Sequence, residues 1–159
     1  PHGMRHAGYR SIDSLRLEKG YRVWAADIGP DYSPLEADLS FAVSFKKDAD
    51  FIGRAALEAQ AKTPLTRRLA TFAIDDPDAI VMGRETIYRD GENVGWITSG
   101  GHGHTVDREI GLGYVRHADG VSDDFLTSAS YEIEIATRRF PATLHTEALY
   151  DPENARIRA

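Results

Sequence analysis

The 159 residues include no cysteine, which excludes a disulfide framework, a thiolate nucleophile and a cysteine-ligated zinc site. That pattern suits a reducing compartment, and the sequence reads as cytoplasmic. No stretch approaches the ~20 apolar residues of a membrane span, and the opening residues lack the charged-then-apolar order of a signal segment, so no membrane partner is expected. Positive charge is not in excess either. With 19 Lys and Arg against 25 Asp and Glu, the net charge is −6, and nucleic acid is not an expected partner without a basic footprint. There is no P-loop, no Ser-His-Asp order and no pair of carboxylates spaced for acid–base work. No catalytic residue is assigned.

What is present is a soluble composition, 42% hydrophobic and 28% charged, long enough for one typical domain or two small ones. The opening "PHGMRHAGYR" runs directly into a helical pattern, as in a piece of a longer protein. Helix periodicity covers His6 to Lys19 and closes at Gly20; Tyr9, Ile12 and Leu15 form the expected core face, with Arg16 inside that arc. "YRVWAADI" reads as a strand and "GPDYSP" (Gly29 to Pro34) as a turn. In "ADLSFAVSF", Phe41, Val43 and Phe45 alternate with Ala42 and Ser44 like a half-buried strand. A second helix is expected from Ile52 to Lys62, stopping before Pro64.

The texture changes after Pro64. "RRLATFAID", "ETIYRDGENVGWITSG", "REIGLGYV" and "YEIEIATRRFPATL" are all strand-like, and Asp90-Gly91 is a hairpin signal because both central residues of a type I′ turn need positive φ. In "YEIEIA", Tyr131, Ile133 and Ile135 should face a core while Glu132 and Glu134 face water. The fold class is α+β: a mixed segment over 1–63, followed over 64–159 by an all-β, barrel-like module.

Arg16 is the main candidate for chemistry. A guanidinium cannot shed its charge, so burial among apolar neighbours demands an anionic or carbonyl partner. Two partners are open: Asp13 one turn earlier, as a structural pair, or a ligand carboxylate held in a cleft in bidentate fashion. Trp24 and Trp96 sit in strand patterns, where core packing competes with a stacking surface for a planar ligand. In "TSGGHGHTVD", His102 and His104 have no clear third ligand nearby, so no metal is assigned; the glycines suit a bend better than a phosphate cradle. His2 and His6 read as an exposed helix start, Lys46 and Lys47 as a solvated strand end, and "IDDPD" (Ile74 to Asp78) as a turn.

Taken in order, "DSLRLEKG", "ADIGPDYSPLEADLSFAV", "DFIGRAAL" and "GENVGWITSGG" resemble the folate-dependent aminomethyltransferase family, the glycine cleavage T-protein and its relatives, from about residue 7 to 145. "LRLEKGYRVWAADIG", "GGHGHTVD" and "LYDPENARIR" are similar to the carboxy-terminal part of sarcosine and dimethylglycine dehydrogenases. The resemblance implies that residues 1–63 end a folate-binding domain and that 64–159 form the family's C-terminal β-barrel domain. It implies tetrahydrofolate as cofactor, with FAD expected only on a domain outside this chain, and a small N-methyl amine as substrate of the full protein. It places Arg16 at the folate cavity, facing the glutamyl tail, and Trp24 near that cavity; Glu18 should orient neighbouring backbone or Arg22. The alternatives are a glycine cleavage system aminomethyltransferase, or a structural docking module without ligand contact. Because the family's key acidic residues fall upstream, the isolated chain is expected to be inactive and, with cavity walls missing, to self-associate, which light scattering measures.

Overall fold

In the computed structural model, which describes residues 3–158, six antiparallel strands close into a barrel. They are β1 (Arg67–Ile74), β2 (Thr86–Arg89), β3 (Glu92–Gly103), β4 (Arg108–Arg116), β5 (Tyr131–Ile135) and β6 (Arg138–His145). The order around the barrel is β1-β4-β3-β2-β5-β6, with β6 returning to β1. Closure gives every strand a neighbour on both sides, although β1 and β6 pair only over Thr71–Ala73 and Thr143–His145. At the β2–β3 turn, Asp90 and Gly91 adopt φ of +49° and +86°, the positive pair the dipeptide predicts.

The barrel is filled by period-two alternation. Phe72, Ile74, Ile87, Ile97, Val115, Ile133 and Phe140 belong to one buried cluster, and Tyr131 and Ile133 are buried where Glu132 and Glu134 are half-exposed. A second, smaller core lies on the outer face of β1 and β4. Leu69, Ile110, Leu112 and Tyr114 are buried there against Leu17, a residue of α1 (Ser11–Glu18). The helix is thus bolted to the barrel wall. Two short helices complete the fold: α2 (Arg54–Gln60) and α3 (Asp123–Thr127), the latter unannounced by apolar periodicity and capped by Ser122, whose hydroxyl accepts the Phe125 N–H. No helix among the described residues is long and apolar enough to cross a membrane.

The amino-terminal third departs from the sequence pattern in three places. First, α1 is shorter than His6 to Lys19 and buries the opposite face: Tyr9, Ile12 and Leu15 are exposed, while Leu17 and Glu18 are 1% exposed. Second, residues 21–28 form a loop rather than a strand. The Asp27 carboxylate accepts the Val23 N–H at 2.9 Å, and the Asp27 and Ile28 N–H groups turn back onto the Val23 carbonyl, so local bonds capture groups a ladder would need. Third, "ADLSFAVSF" holds only a 3₁₀ turn, Ser40–Ala42. Here the Arg22 guanidinium takes the Ala37 and Asp38 carbonyls, and the alternating Phe41 is exposed. His2 lies outside the described residues, and His6 is exposed.

A partly buried ion pair ties this third to β1. Arg67 donates from Nε to Glu36 Oε1 at 2.7 Å and from Nη2 to Oε2 at 3.1 Å, and the Ser33 N–H donates to the same carboxylate at 2.8 Å. Burial of Glu36 opposes its ionisation, but the Arg67 and Ser33 hydrogen bonds and the Arg67 charge outweigh it, and the carboxyl titrates below its ordinary value. The unfolded chain therefore binds this proton more readily. The stability this carboxylate contributes is complete above the ordinary glutamate value and is lost as pH falls through the lowered one. Acid melts of Glu36→Gln should show a shallower loss of melting temperature below about pH 4.5 than the unaltered chain. An equally steep loss would refute the assignment.

Candidate functional site

The seam between α1 and the Gly-rich end of β3 holds the buried guanidinium. The helix reaches β3 by hydrogen bonds as well as by Leu17. Ser14 Oγ donates to the His102 carbonyl at 2.7 Å, Arg16 Nη1 to Ser99 Oγ at 2.9 Å, and the Val106 N–H to Glu18 Oε1 at 3.1 Å, with the Thr105 N–H on the same oxygen. Glu18 thus orients neighbouring backbone, in the turn after β3, and does not meet Arg22. Past the helix, Gly20 takes φ +67°, and the Tyr150 N–H bonds the Glu18 carbonyl at 2.9 Å, strapping the carboxy-terminal segment beneath α1.

Arg16 has a partner the sequence pattern does not reveal. Its Nη1 donates to Asp27 Oδ2 at 2.8 Å, and Asp27 is fully buried. The same carboxylate accepts the Val23 N–H on Oδ2 and the Thr98 and Ser99 hydroxyls on Oδ1, so the buried charge is met by four donors. Tyr114 adds a fifth link, its hydroxyl donating to the Asp27 backbone carbonyl at 2.9 Å. Asp13, the alternative partner, stands 3.5 Å from Arg16 Nε and is half-exposed, and that nitrogen is buried without a hydrogen bond. Nη2 likewise makes none among the described residues.

Arg16 lines the clefts on both flanks of α1. One, of about 690 Å³, runs between the helix and β3 and includes Asp13, Ser99 and His102. The other, of about 480 Å³, is walled by Ile12, Leu15, Tyr21, Tyr150 and Ile157 beside Arg16 and Lys19. Trp24 lines neither and is 68% exposed, on the loop that carries Asp27. Trp96 packs beneath the Arg116 guanidinium at 3.9 Å. His102 directs Nδ1 to Glu109 Oε1 at 3.0 Å, its cross-strand neighbour in the β3–β4 register, and its ring lies 4.8 Å from that of His104. No group of three or more acidic or histidine side chains among the described residues is arranged to hold a metal.

Residues 67–151, spanning the barrel and the strap, match the glycine cleavage T-protein C-terminal barrel domain, and residues 1–47 match the GCVT N-terminal domain. The chain belongs to the glycine cleavage T-protein family. Mouse mitochondrial sarcosine dehydrogenase is 42% identical over 159 residues, covering 99% of this chain and 17% of that protein. The mitochondrial pyruvate dehydrogenase phosphatase regulatory subunit of mouse is 38% identical over 152 residues, covering 89% of this chain and 17% of its own. The crystal structure of glycine cleavage system aminomethyltransferase T from Bartonella henselae has a TM-score of 0.75 at 29% identity, covering 92% of this chain and 40% of that one. The chain therefore spans about a sixth of the curated relatives it matches. In this family setting the closed barrel is the expected C-terminal domain, and Arg16 and Asp27 fall in the stretch shared with the N-terminal domain.

Proposed function

We propose that this chain is the C-terminal part of a tetrahydrofolate-dependent one-carbon transfer enzyme, the folate module of an FAD-dependent sarcosine or dimethylglycine dehydrogenase. Residues 1–63 would end the folate domain and 64–159 form its barrel. The reading is carried by the 42% identity to sarcosine dehydrogenase over 99% of the chain, together with a guanidinium that keeps unbonded N–H groups between two clefts.

The donor set fits a folate tail. Arg16 Nε is an orphaned buried donor, and a guanidinium with free N–H groups suits a carboxylate oxygen. Bound tetrahydrofolate would supply the nitrogens that accept the one-carbon unit; this chain would bind and orient it through Arg16, with the exposed Trp24 ring as a secondary contact. No residue here is assigned to bond making or breaking, and the flavin belongs to a domain outside the chain. The isolated chain is accordingly inactive and lacks micromolar affinity for tetrahydrofolate.

The test is calorimetric. In the full-length enzyme that carries this chain, Arg16→Ala should weaken tetrahydrofolate binding by about tenfold or more, the worth of a charge-assisted hydrogen bond. Micromolar binding by the isolated chain, or unchanged affinity in the variant, would refute the reading. A second reading, a structural module without ligand contact, is favoured by the Arg16–Asp27 pair, which satisfies much of the guanidinium internally, and by a relative named as a regulatory subunit. It predicts normal affinity and a lowered melting temperature in the same variant.

A further inference from the structure

Asp27 is the least exposed acid near the clefts, and its surroundings are unusual for a structural ion pair. Its carboxylate is braced from three directions: the Val23 N–H from its own loop, the Thr98 and Ser99 hydroxyls from β3, and Arg16 from α1. Tyr114 of β4 fixes its main chain. The hydrogen bonds of Arg16 all leave from one arm. Nη1 donates to Asp27 Oδ2 at 2.8 Å and to Ser99 Oγ at 2.9 Å and reaches the Tyr21 carbonyl at 3.5 Å, while Nε, with the Asp13 carboxylate 3.5 Å away, is buried without a hydrogen bond and Nη2 makes none among the described residues.

From this asymmetry we infer that Asp27 is a positioning residue: it grips one arm of the Arg16 guanidinium so that the remaining N–H groups stand as fixed donors for an acceptor oxygen of an anionic ligand tail. The inference rests on the folate reading of Arg16 given above and adds how that residue is presented. Two consequences separate it from a plain charge anchor. Asp27 offsets the Arg16 charge, so the contact depends on direction more than on attraction. And lysine cannot replace arginine, because its single ammonium would be taken up by Asp27 with no second arm left for the ligand.

The experiment measures tetrahydrofolate affinity by titration calorimetry and melting temperature by calorimetric scan. It uses the full-length enzyme carrying this chain and its Arg16→Ala, Arg16→Lys, Asp27→Asn and Arg16→Ala/Asp27→Asn variants. Arg16→Lys should melt close to the unaltered enzyme, since Asp27 keeps a cationic partner, yet bind about tenfold or more weakly. Asp27→Asn should lose affinity by a similar factor. The double variant should be no weaker than Arg16→Ala alone, because a positioning residue has no effect once the group it positions is gone. Lysine at position 16 with retained affinity overturns the inference, as do losses that multiply in the double variant. If Asp27→Asn fails to fold, the lysine variant decides by itself. An Arg16→Ala enzyme with normal affinity overturns the folate reading of Arg16 and this inference with it, whereas a loss confined to Arg16→Ala overturns this inference alone.

Discussion

Replacing Gly95 by alanine should destabilise the chain by about 3 kcal/mol or more, because the added carbon has nowhere to go. Gly95 lies in β3, paired with Val115 of β4 and Ile87 of β2. A Cβ at this position would stand 1.9 Å from the Tyr114 carbonyl oxygen and 3.0 Å from its carbon. The obstacle is main chain, so no rotamer change relieves it. Nor can β4 readily retreat, since Tyr114 is fully buried, stacks on Tyr32 with ring centroids 4.1 Å apart, and is held by its hydroxyl to the Asp27 carbonyl. Relief would part the β3–β4 ladder and pull on the residue that grips Arg16. The expected fall in melting temperature is roughly 6–12 °C for a chain of this size. Gly8→Ala is the control. Nothing lies within 4 Å of a Cβ there, and its cost should stay within about 0.5 kcal/mol. Equal melting temperatures for the two variants would show that the β3–β4 approach is looser than described.

The barrel is the part of the fold that the sequence spells out, because its rules are local. Alternation in β5 and the Asp90-Gly91 pair each specify geometry within a few residues, and closure follows from six such strands in antiparallel register. The amino-terminal third obeys other rules. Its alternating segments look like strands, yet Asp27 and Arg22 divert the main-chain groups a ladder would use, and no period in the hydrophobic pattern reports a side chain that bonds to backbone. The pairing of Arg16 was hidden for a related reason. Asp27 lies eleven positions on, beyond any helical spacing, and becomes a partner only when the 21–28 loop folds back. The short acidic sequence "SDDF" at 122–125 did carry a signal for α3, a serine cap followed by two acids at a helix start, which apolar periodicity alone passes over.

The reversal of α1 leads to the remaining strong expectation, that Leu17→Ala should cost about 3 kcal/mol while Leu15→Ala costs less than about 0.5 kcal/mol. Both residues are leucines of one short helix, and apolar periodicity ranks Leu15 as the core position. In the folded chain Leu17 is 1% exposed and Leu15 is 62% exposed. Leu17 fills the outer core with Leu69, Ile110, Leu112 and Tyr114, and it reaches the barrel over Gly101, where a Cβ would come within 3.3 Å of its Cδ1. The face toward the barrel also carries Ser14 and Glu18, polar residues whose bonds go to the β3 end and the turn after it. A helix that docks partly through such bonds can leave its more apolar face outward, available to whatever completes the second cleft. Because Arg16 immediately precedes Leu17, loosening this anchor would also displace the guanidinium. On the proposed folate reading of Arg16, Leu17→Ala should therefore reduce tetrahydrofolate affinity in the full-length protein as well as stability, while Leu15→Ala in the isolated chain should reduce neither helix content nor melting temperature. Circular dichroism melts of the two variants are the measurement, and a Leu15 effect as large as that of Leu17 would place α1 on the barrel the other way round.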